Sequence, residues 1–256
     1  MTAPNVTAVI PVYEHEHAVP HVVAVLQAQR LPIVVVDDGS GESCRRALEE
    51  LTRSTGATLL RLPVNGGKGA AVIAGLRAAS AAGFTHALQV DADGQHTLSD
   101  VPRFLAAAAL EPDAIICGKP VFDASIPRLR FMSRYITHVL VWLQTLSLTA
   151  IRDSMCGFRL YPIGSVLRVV EEDGVGTRMD FDVEILVKLV WRGHVLRWLD
   201  TRVSYPIDGI SHFRMLLDNL QLARMHVRLL LGMIWRAPRL IGRRIRLRRV
   251  QARHPH

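Results

Sequence analysis

Cysteine is scarce, aromatic residues are few, and no apolar run is long enough to span a bilayer. The three cysteines, Cys44, Cys117 and Cys156, lie far apart with no paired spacing. That pattern excludes a disulfide framework and a cysteine-based zinc site, and it sets a reducing, cytosolic setting as the expectation. Aromatic residues make up 6% of the chain and no recognition motif appears, so nucleic-acid binding is not expected. The most apolar stretch, Ile136 to Ile151, holds sixteen residues and is interrupted by His138, Gln144, Thr145 and Ser147. It is too short and too polar for an ordinary membrane span and reads as a helix beside a binding cleft. The N-terminus reaches a strand pattern by Val6 without a basic-then-apolar leader, so export is not expected. Acidic residues are absent from Asn219 to His256, where ten arginines stand, while the first 218 residues carry 21 basic and 23 acidic side chains. The body is near neutral and the tail is cationic.

At 256 residues, 49% hydrophobic and 21% charged, the chain has the composition of one large α/β domain or two small ones. Val6 to Val12 reads as a buried strand, Pro20 to Arg30 as an amphipathic helix, and Ile33 to Val36 as a β-branched strand apolar on both faces. Ser43 to Ser54 reads as a helix, Thr58 to Leu62 as a third strand, and Ala70 to Ala82 as a helix opened by Asn65-Gly66-Gly67-Lys68-Gly69. A fourth strand around Ala87, Leu88 and Val90 runs into Asp91-Ala92-Asp93-Gly94-Gln95-His96. Alternation of this kind predicts a mostly parallel central sheet flanked by helices, with ligands at the carboxyl ends of the strands. Tyr13, Asp37, Asp38, Lys68, Asp91 and Asp93 all fall there.

Asp91, Asp93 and Gln95 recur at period two, which on an extended chain sets three oxygen donors on one side. Hard oxygen donors suit Mg2+ or Mn2+, and few protein ligands leave positions open for phosphate oxygens. The glycine-rich turn around Lys68 fits either phosphate binding or a plain helix start. Asp180, Asp182 and Glu184 sit at the start of a helix from Met179 to Val190 and read as capping and dipole partners.

In order and over roughly Val6 to Arg214, the motifs resemble those of the family 2 inverting glycosyltransferases with the GT-A fold, closest to the dolichyl- or polyprenyl-phosphate mannosyltransferase branch. The carrying stretches are Val9-Ile10-Pro11-Val12-Tyr13, Val35-Val36-Asp37-Asp38-Gly39-Ser40, Asn65 to Ala71, Asp91 to His96 and Asp153-Ser154-Met155-Cys156-Gly157-Phe158-Arg159. The resemblance implies that Pro11, Tyr13 and Asp38 hold a nucleotide and that Asp91, Asp93 and Gln95 hold the metal on its diphosphate. It implies a donor pocket completed by Lys68 and by Lys119, after a strand Ala114 to Cys117, with Arg130 or Arg134 adding charge. His212 and Arg214 fall in the loop that closes over the diphosphate. Glu14-His15 departs from the usual Asn-Glu of relatives, and His212 replaces a lysine.

The implied reaction moves a sugar from a nucleotide-diphosphate sugar to a lipid acceptor, a polyprenyl phosphate, at the cytosolic face of the membrane. If the acceptor is instead a hydroxyl, it needs a base, for which Asp153 is the candidate; an N-cap or a salt bridge to Arg152 or Arg159 that shapes the site is the other reading of that residue. Residues 1–212 are expected to form the GT-A domain and 213–256 an amphipathic, Arg-rich segment that associates with an anionic membrane surface. Arg239 to Arg249 mixes apolar anchors and cations as an interfacial helix does, and Pro238 is expected to end or kink the helix before it. The enzyme is then cytoplasmic and peripheral on the inner face of the cell membrane. A non-enzymatic membrane- or nucleic-acid-binding protein using the Arg-rich tail is the competing reading.

Overall fold

Val6–Val12 (β1) and Ile33–Asp37 (β2) are buried almost throughout, and their alternate residues serve two different cores. Val9, Val34 and Val36 face one side; Ala8, Ile10, Ile33 and Val35 face the other. A strand covered on both faces can carry no polar alternation, which explains why these segments read as continuous apolar runs. The computed structural model describes residues 3–121, 128–203 and 215–253. Helices Val19–Ala28 (α1), Glu42–Thr55 (α2) and Val101–Leu110 (α4) cover the second side, and Lys68–Ala81 (α3), Ile163–Asp173 (α6) and Phe181–Arg192 (α7) cover the first.

The remaining strands are Thr58–Arg61 (β3), His86–Gln89 (β4), Ile115–Val121 (β5), Arg159–Pro162 (β6) and Leu196–Arg202 (β7). The sheet order is β3-β2-β1-β4-β6-β5-β7. Every adjacent pair is parallel except those made by β6, which runs antiparallel to both β4 and β5. The expected α/β architecture, a mostly parallel sheet between helices, is therefore present. From β1 the chain crosses outward to β2 and β3, then returns to the other flank of β1 as β4. The crevice at the carboxyl ends of β1 and β4 is thus a topological switch point, the place where open α/β sheets bind ligands.

Four sequence expectations need correction. The strand expected at Ala114 to Cys117 extends to Val121, because β5 pairs with β7 along its whole length, so Lys119 lies within a strand and not after one. Asp91 to Gly94 is a turn past β4, with Gly94 at φ 69°, so the period-two reading of Asp91, Asp93 and Gln95 does not apply. Pro238 neither ends nor divides the C-terminal helix: Met215–Arg253 (α8) is one helix containing it. Pro238 is exposed, so the carbonyl that loses its intrahelical N–H partner is left on the solvent side, where water can satisfy it. The helix expected across Ile136 to Ile151 is Arg128–Thr145 (α5), which ends earlier and packs against α7 and α8.

α3 lies close on the sheet because Gly75 faces Val9 and Val36; a Cβ there would collide with a Val9 methyl and sit 3.0 Å from one of Val36. We expect Gly75→Ala to destabilise the fold by about 1–3 kcal/mol, overpacking outweighing the gain in helix propensity. Gly242→Ala in α8, where a Cβ meets nothing, is expected to be neutral or mildly stabilising. Urea unfolding of the two variants checks the contrast.

Candidate functional site

The loops after β1 and β2 are tied together by carboxylates. Asp37, at the end of β2, accepts the backbone N–H of Ser40 at 2.8 Å and pairs with Arg61 of β3. Asp38 turns the other way, its two oxygens accepting the N–H groups of Gly66 and Gly67 at 2.8 Å each. Burial pushes the Asp38 carboxyl up, and these two hydrogen bonds pull it back in part. Pro11 lies within buried β1 and Tyr13 just beyond it, half-buried. Glu14 adopts φ 54°, a left-handed conformation uncommon for a residue other than glycine. Here its carboxylate accepts the N–H of Gly41 at 2.6 Å, at the start of α2.

Asp91 and Asp93 come from the turn after β4. The Asp93 carboxyl is pushed up by burial and then by the charge of Asp91. Asp93 accepts the N–H of Gln95 at 3.0 Å, and the His96 ring, stacked on Phe158, reaches Asp91 at 3.4 Å. Asp91 Oδ1 is buried without a well-aligned hydrogen-bond donor, although the Lys68 ammonium lies 2.8 Å from it. Two carboxylates on one turn, with the Gln95 amide next in sequence, are the hard oxygen donors that suit a divalent cation with open positions. Among the described residues, three His, Cys, Asp or Glu donor atoms gather only elsewhere, at Glu14, Glu16 and Cys44, where Glu14 already serves Gly41.

Lys68 does not stand in an open phosphate loop. It is the first residue of α3, and its ammonium lies between Asp91, at 2.8 and 3.0 Å, and Asp182 of α7, at 2.8 Å. Burial alone would lower its pKa, but the attraction of Asp182 and then Asp91 outweighs it and raises the pKa well above the ordinary lysine value. Burial likewise opposes ionisation of Asp91, and Lys68 and His96 overcome it. Asp182 also accepts from Gln89 Nε2 at 3.2 Å and lies 3.7 Å from Arg159, which donates to the Asp182 carbonyl, the Ser154 carbonyl and the Tyr161 hydroxyl. Gly157 passes directly over the ion pair: a Cβ there would lie 2.6 Å from both Lys68 Nζ and an Asp91 oxygen. A larger residue at this position would have to displace the ammonium or the carboxylate.

Asp180 stands at the N-cap position of α7 without a side-chain capping hydrogen bond, and Asp182 and Glu184 lie in the first turn, where the dipole reading applies. Asp180 accepts from the Arg178 N–H and from Gln221, and Glu184 from the Gly176 N–H, with Lys188 and Arg228 as ion partners. Asp180 and Glu184, four apart, share one helix face, and Asp182 lies on another. That offset is the one signal in the sequence that could have separated it.

Asp153 forms a two-pronged ion pair with Arg134 of α5, at 2.6 and 2.8 Å, and also accepts the N–H groups of Met155 and Cys156. The salt-bridge reading is thus met by Arg134 and not by Arg152 or Arg159. Lys119 pairs with Asp200 of β7 at 3.3 Å, half-exposed. The Arg130 side chain, His212 and Arg214 lie outside the described residues. The Cys117 and Cys156 thiols are pushed up to about 12, chiefly by burial, so neither supplies a thiolate.

Comparison with known proteins gives this geometry its context. The dolichyl-phosphate beta-glucosyltransferase of Dictyostelium discoideum is 31% identical over 166 residues, covering 60% of this chain and 49% of that protein. The Homo sapiens protein of the same name is 31% identical over 167 residues, covering 60% and 50%. The chain therefore spans about half the length of these curated relatives. Among solved structures, glucosyl-3-phosphoglycerate synthase from Mycobacterium tuberculosis with Mn2+ and uridine-diphosphate-glucose superposes with a TM-score of 0.65. The superposition covers 90% of this chain and 79% of that one at 16% identity, a likeness of fold, and that fold is GT-A. Residues 7–159, more than half of the chain, match the family Glycosyl transferase family 2, and the chain belongs to that family.

Proposed function

We propose that this chain is a metal-dependent inverting glycosyltransferase that moves a sugar from a nucleotide-diphosphate sugar to the phosphate of a polyprenyl-type lipid. The observation that carries the reading is the pair Asp91 and Asp93, two carboxylates on one short turn at the carboxyl end of β4, at the topological switch point. Asp91, Asp93 and Gln95 would hold Mg2+ or Mn2+, which supplies charge to the departing diphosphate. Each Asp38 oxygen carries one backbone N–H and retains a lone pair for a nucleobase donor, with Pro11 and Tyr13 beside it. Lys119, His212 and Arg214 are assigned to the donor's phosphates by resemblance. The relatives' names make glucose the first sugar to test.

The nature of the acceptor follows from Asp153. An alcohol must lose its proton to a positioned base, whereas a phosphate oxygen is already ionised near neutral pH. Asp153 Oδ1 is filled by Arg134 and two backbone N–H groups and Oδ2 is paired with Arg134, so service as a base would require that two-pronged ion pair to open. This favours a phosphate acceptor over a hydroxyl. The phosphate oxygen attacks the anomeric carbon from the face opposite the diphosphate, the bond to the diphosphate breaks, and the configuration inverts.

A lipid acceptor calls for a membrane-facing surface, and α8 supports one. Its inner face, with Met225, His226 and Leu229, packs on the body, while Leu220, Val227, Leu231, Ile234, Trp235 and Ile241 are exposed. Trp235 is 87% exposed, an unusual position for the largest apolar side chain. No helix among the described residues is long and apolar enough to cross a membrane. The chain is accordingly assigned to the cytosolic face of the membrane, held in the interface by apolar anchors and arginines.

Asp93→Ala is expected to abolish sugar transfer while the melting temperature stays within a few degrees, and excess chelator is expected to do the same to the wild type. Full turnover in chelator would refute the metal assignment. Removing residues 244–256 takes away five arginines, each worth about 1 kcal/mol at an anionic leaflet. Co-sedimentation with anionic vesicles should then weaken and lose its steep salt dependence, the attraction being screened within about 8 Å at physiological salt. Leu231→Glu with Trp235→Glu should weaken binding at every salt concentration. Unchanged sedimentation of both variants would remove α8 from the membrane contact.

A further inference from the structure

Lys68 and a divalent cation compete for the same carboxylate. The ammonium lies within 3.0 Å of both Asp91 oxygens, and a lysine paired with Asp91 alone would fill the position from which Asp91 must reach a metal. Asp182 changes that balance. It is 6% exposed, on α7, 91 residues further along the chain, and its Oδ2 lies as close to Lys68 Nζ as Asp91 does, 2.8 Å. Its other oxygen is steered by Gln89 at 3.2 Å and lies 3.7 Å from Arg159, so the carboxylate is itself fixed from two strands. A carboxylate held this firmly opposite a lysine draws the ammonium toward itself and lends the pair one compensating negative charge.

We infer that Asp182 is a positioning residue that shares the Lys68 ammonium and thereby keeps Asp91 available to a divalent cation. The inference rests on the metal site proposed above and goes beyond it, because Asp182 touches neither that cation nor the sugar donor in this role. With Asp182 neutral, Lys68 pairs with Asp91 alone and the pocket gains one unit of net positive charge. Both effects oppose a cation. Neither opposes an anionic diphosphate, so the two ligands should respond in different directions. Simple damage to the fold would weaken both.

The test counts free Mn2+ by its electron paramagnetic resonance signal, well below the melting temperature, and needs no turnover. Asp182→Asn is expected to weaken Mn2+ binding about tenfold or more, while UDP binding in chelator, measured by calorimetry, is unchanged or tighter. Lys68→Met, which removes the competitor, is expected to bind Mn2+ at least as tightly as the wild type, and in that background Asp182→Asn should cost about twofold or less. Unchanged Mn2+ binding in Asp182→Asn, or Mn2+ and UDP weakening together, makes Asp182 a structural residue and overturns the inference. A full tenfold loss persisting without Lys68 overturns the route through the lysine. If Asp182→Asn does not fold, Lys68→Met decides alone: tenfold weaker Mn2+ binding in it is the contrary result. A wild type that binds no Mn2+ overturns the metal assignment itself and this inference with it.

Discussion

The contact on which the crevice depends is the buried Lys68 ammonium between Asp91 and Asp182. It joins the first residue of α3, the turn after β4 and the first turn of α7, and through Arg159 it reaches β6. These elements are scattered along the chain, and their meeting point is where the sheet changes direction. Buried ion pairs contribute little net stability, since desolvation offsets attraction, yet losing one partner costs about 3–5 kcal/mol by leaving an uncompensated charge. The network is better understood as fixing geometry than as adding stability. Gly157 shows how tightly it does so, with backbone lying where any Cβ would strike both the lysine and the aspartate.

Much of the first half was legible because buried parallel strands announce themselves: Ile33 to Val36 is β-branched throughout, and Asp37 and Asp38 mark where the apolar run ends. The same logic located Asp91 and Asp93 but not their geometry, since a turn after a four-residue strand looks like continued strand in sequence. β6 and β7 were harder. Arg159–Pro162 contains a buried arginine and a proline, and Leu196–Arg202 has charged residues at an exposed edge, so neither carries a strand's apolar signature. Asp182 was read as a helix-capping acid because its partners, Lys68 and Gln89, are supplied by tertiary structure alone. Asp153 likewise met Arg134, 19 residues away, and not the arginines beside it.

α8 inverts the usual logic of an amphipathic helix. Its packed face includes Asp218 and His226, the latter bonded to Gln144 at 2.9 Å, and Arg228 reaches Glu184 from its border. Polar contacts thus attach the helix to the body while a large part of its apolar surface faces outward. The cost of exposing such a stripe to water is recovered if it lies against lipid, and the absence of acids after Asp218 removes the repulsion an anionic leaflet would otherwise meet. Apolar periodicity was visible in the sequence; which side it faced was not.

The central claim, transfer to an acceptor that needs no base, is tested most directly by offering two acceptors of equal chain length. Labelled sugar from UDP-glucose is followed into a short-chain polyprenyl phosphate and into the corresponding polyprenol, with Mn2+ present. The account predicts product from the phosphate only, in the β configuration expected of inversion from an α-linked donor. Product from the alcohol at a comparable rate, abolished by Asp153→Asn, would contradict it and make Asp153 the base.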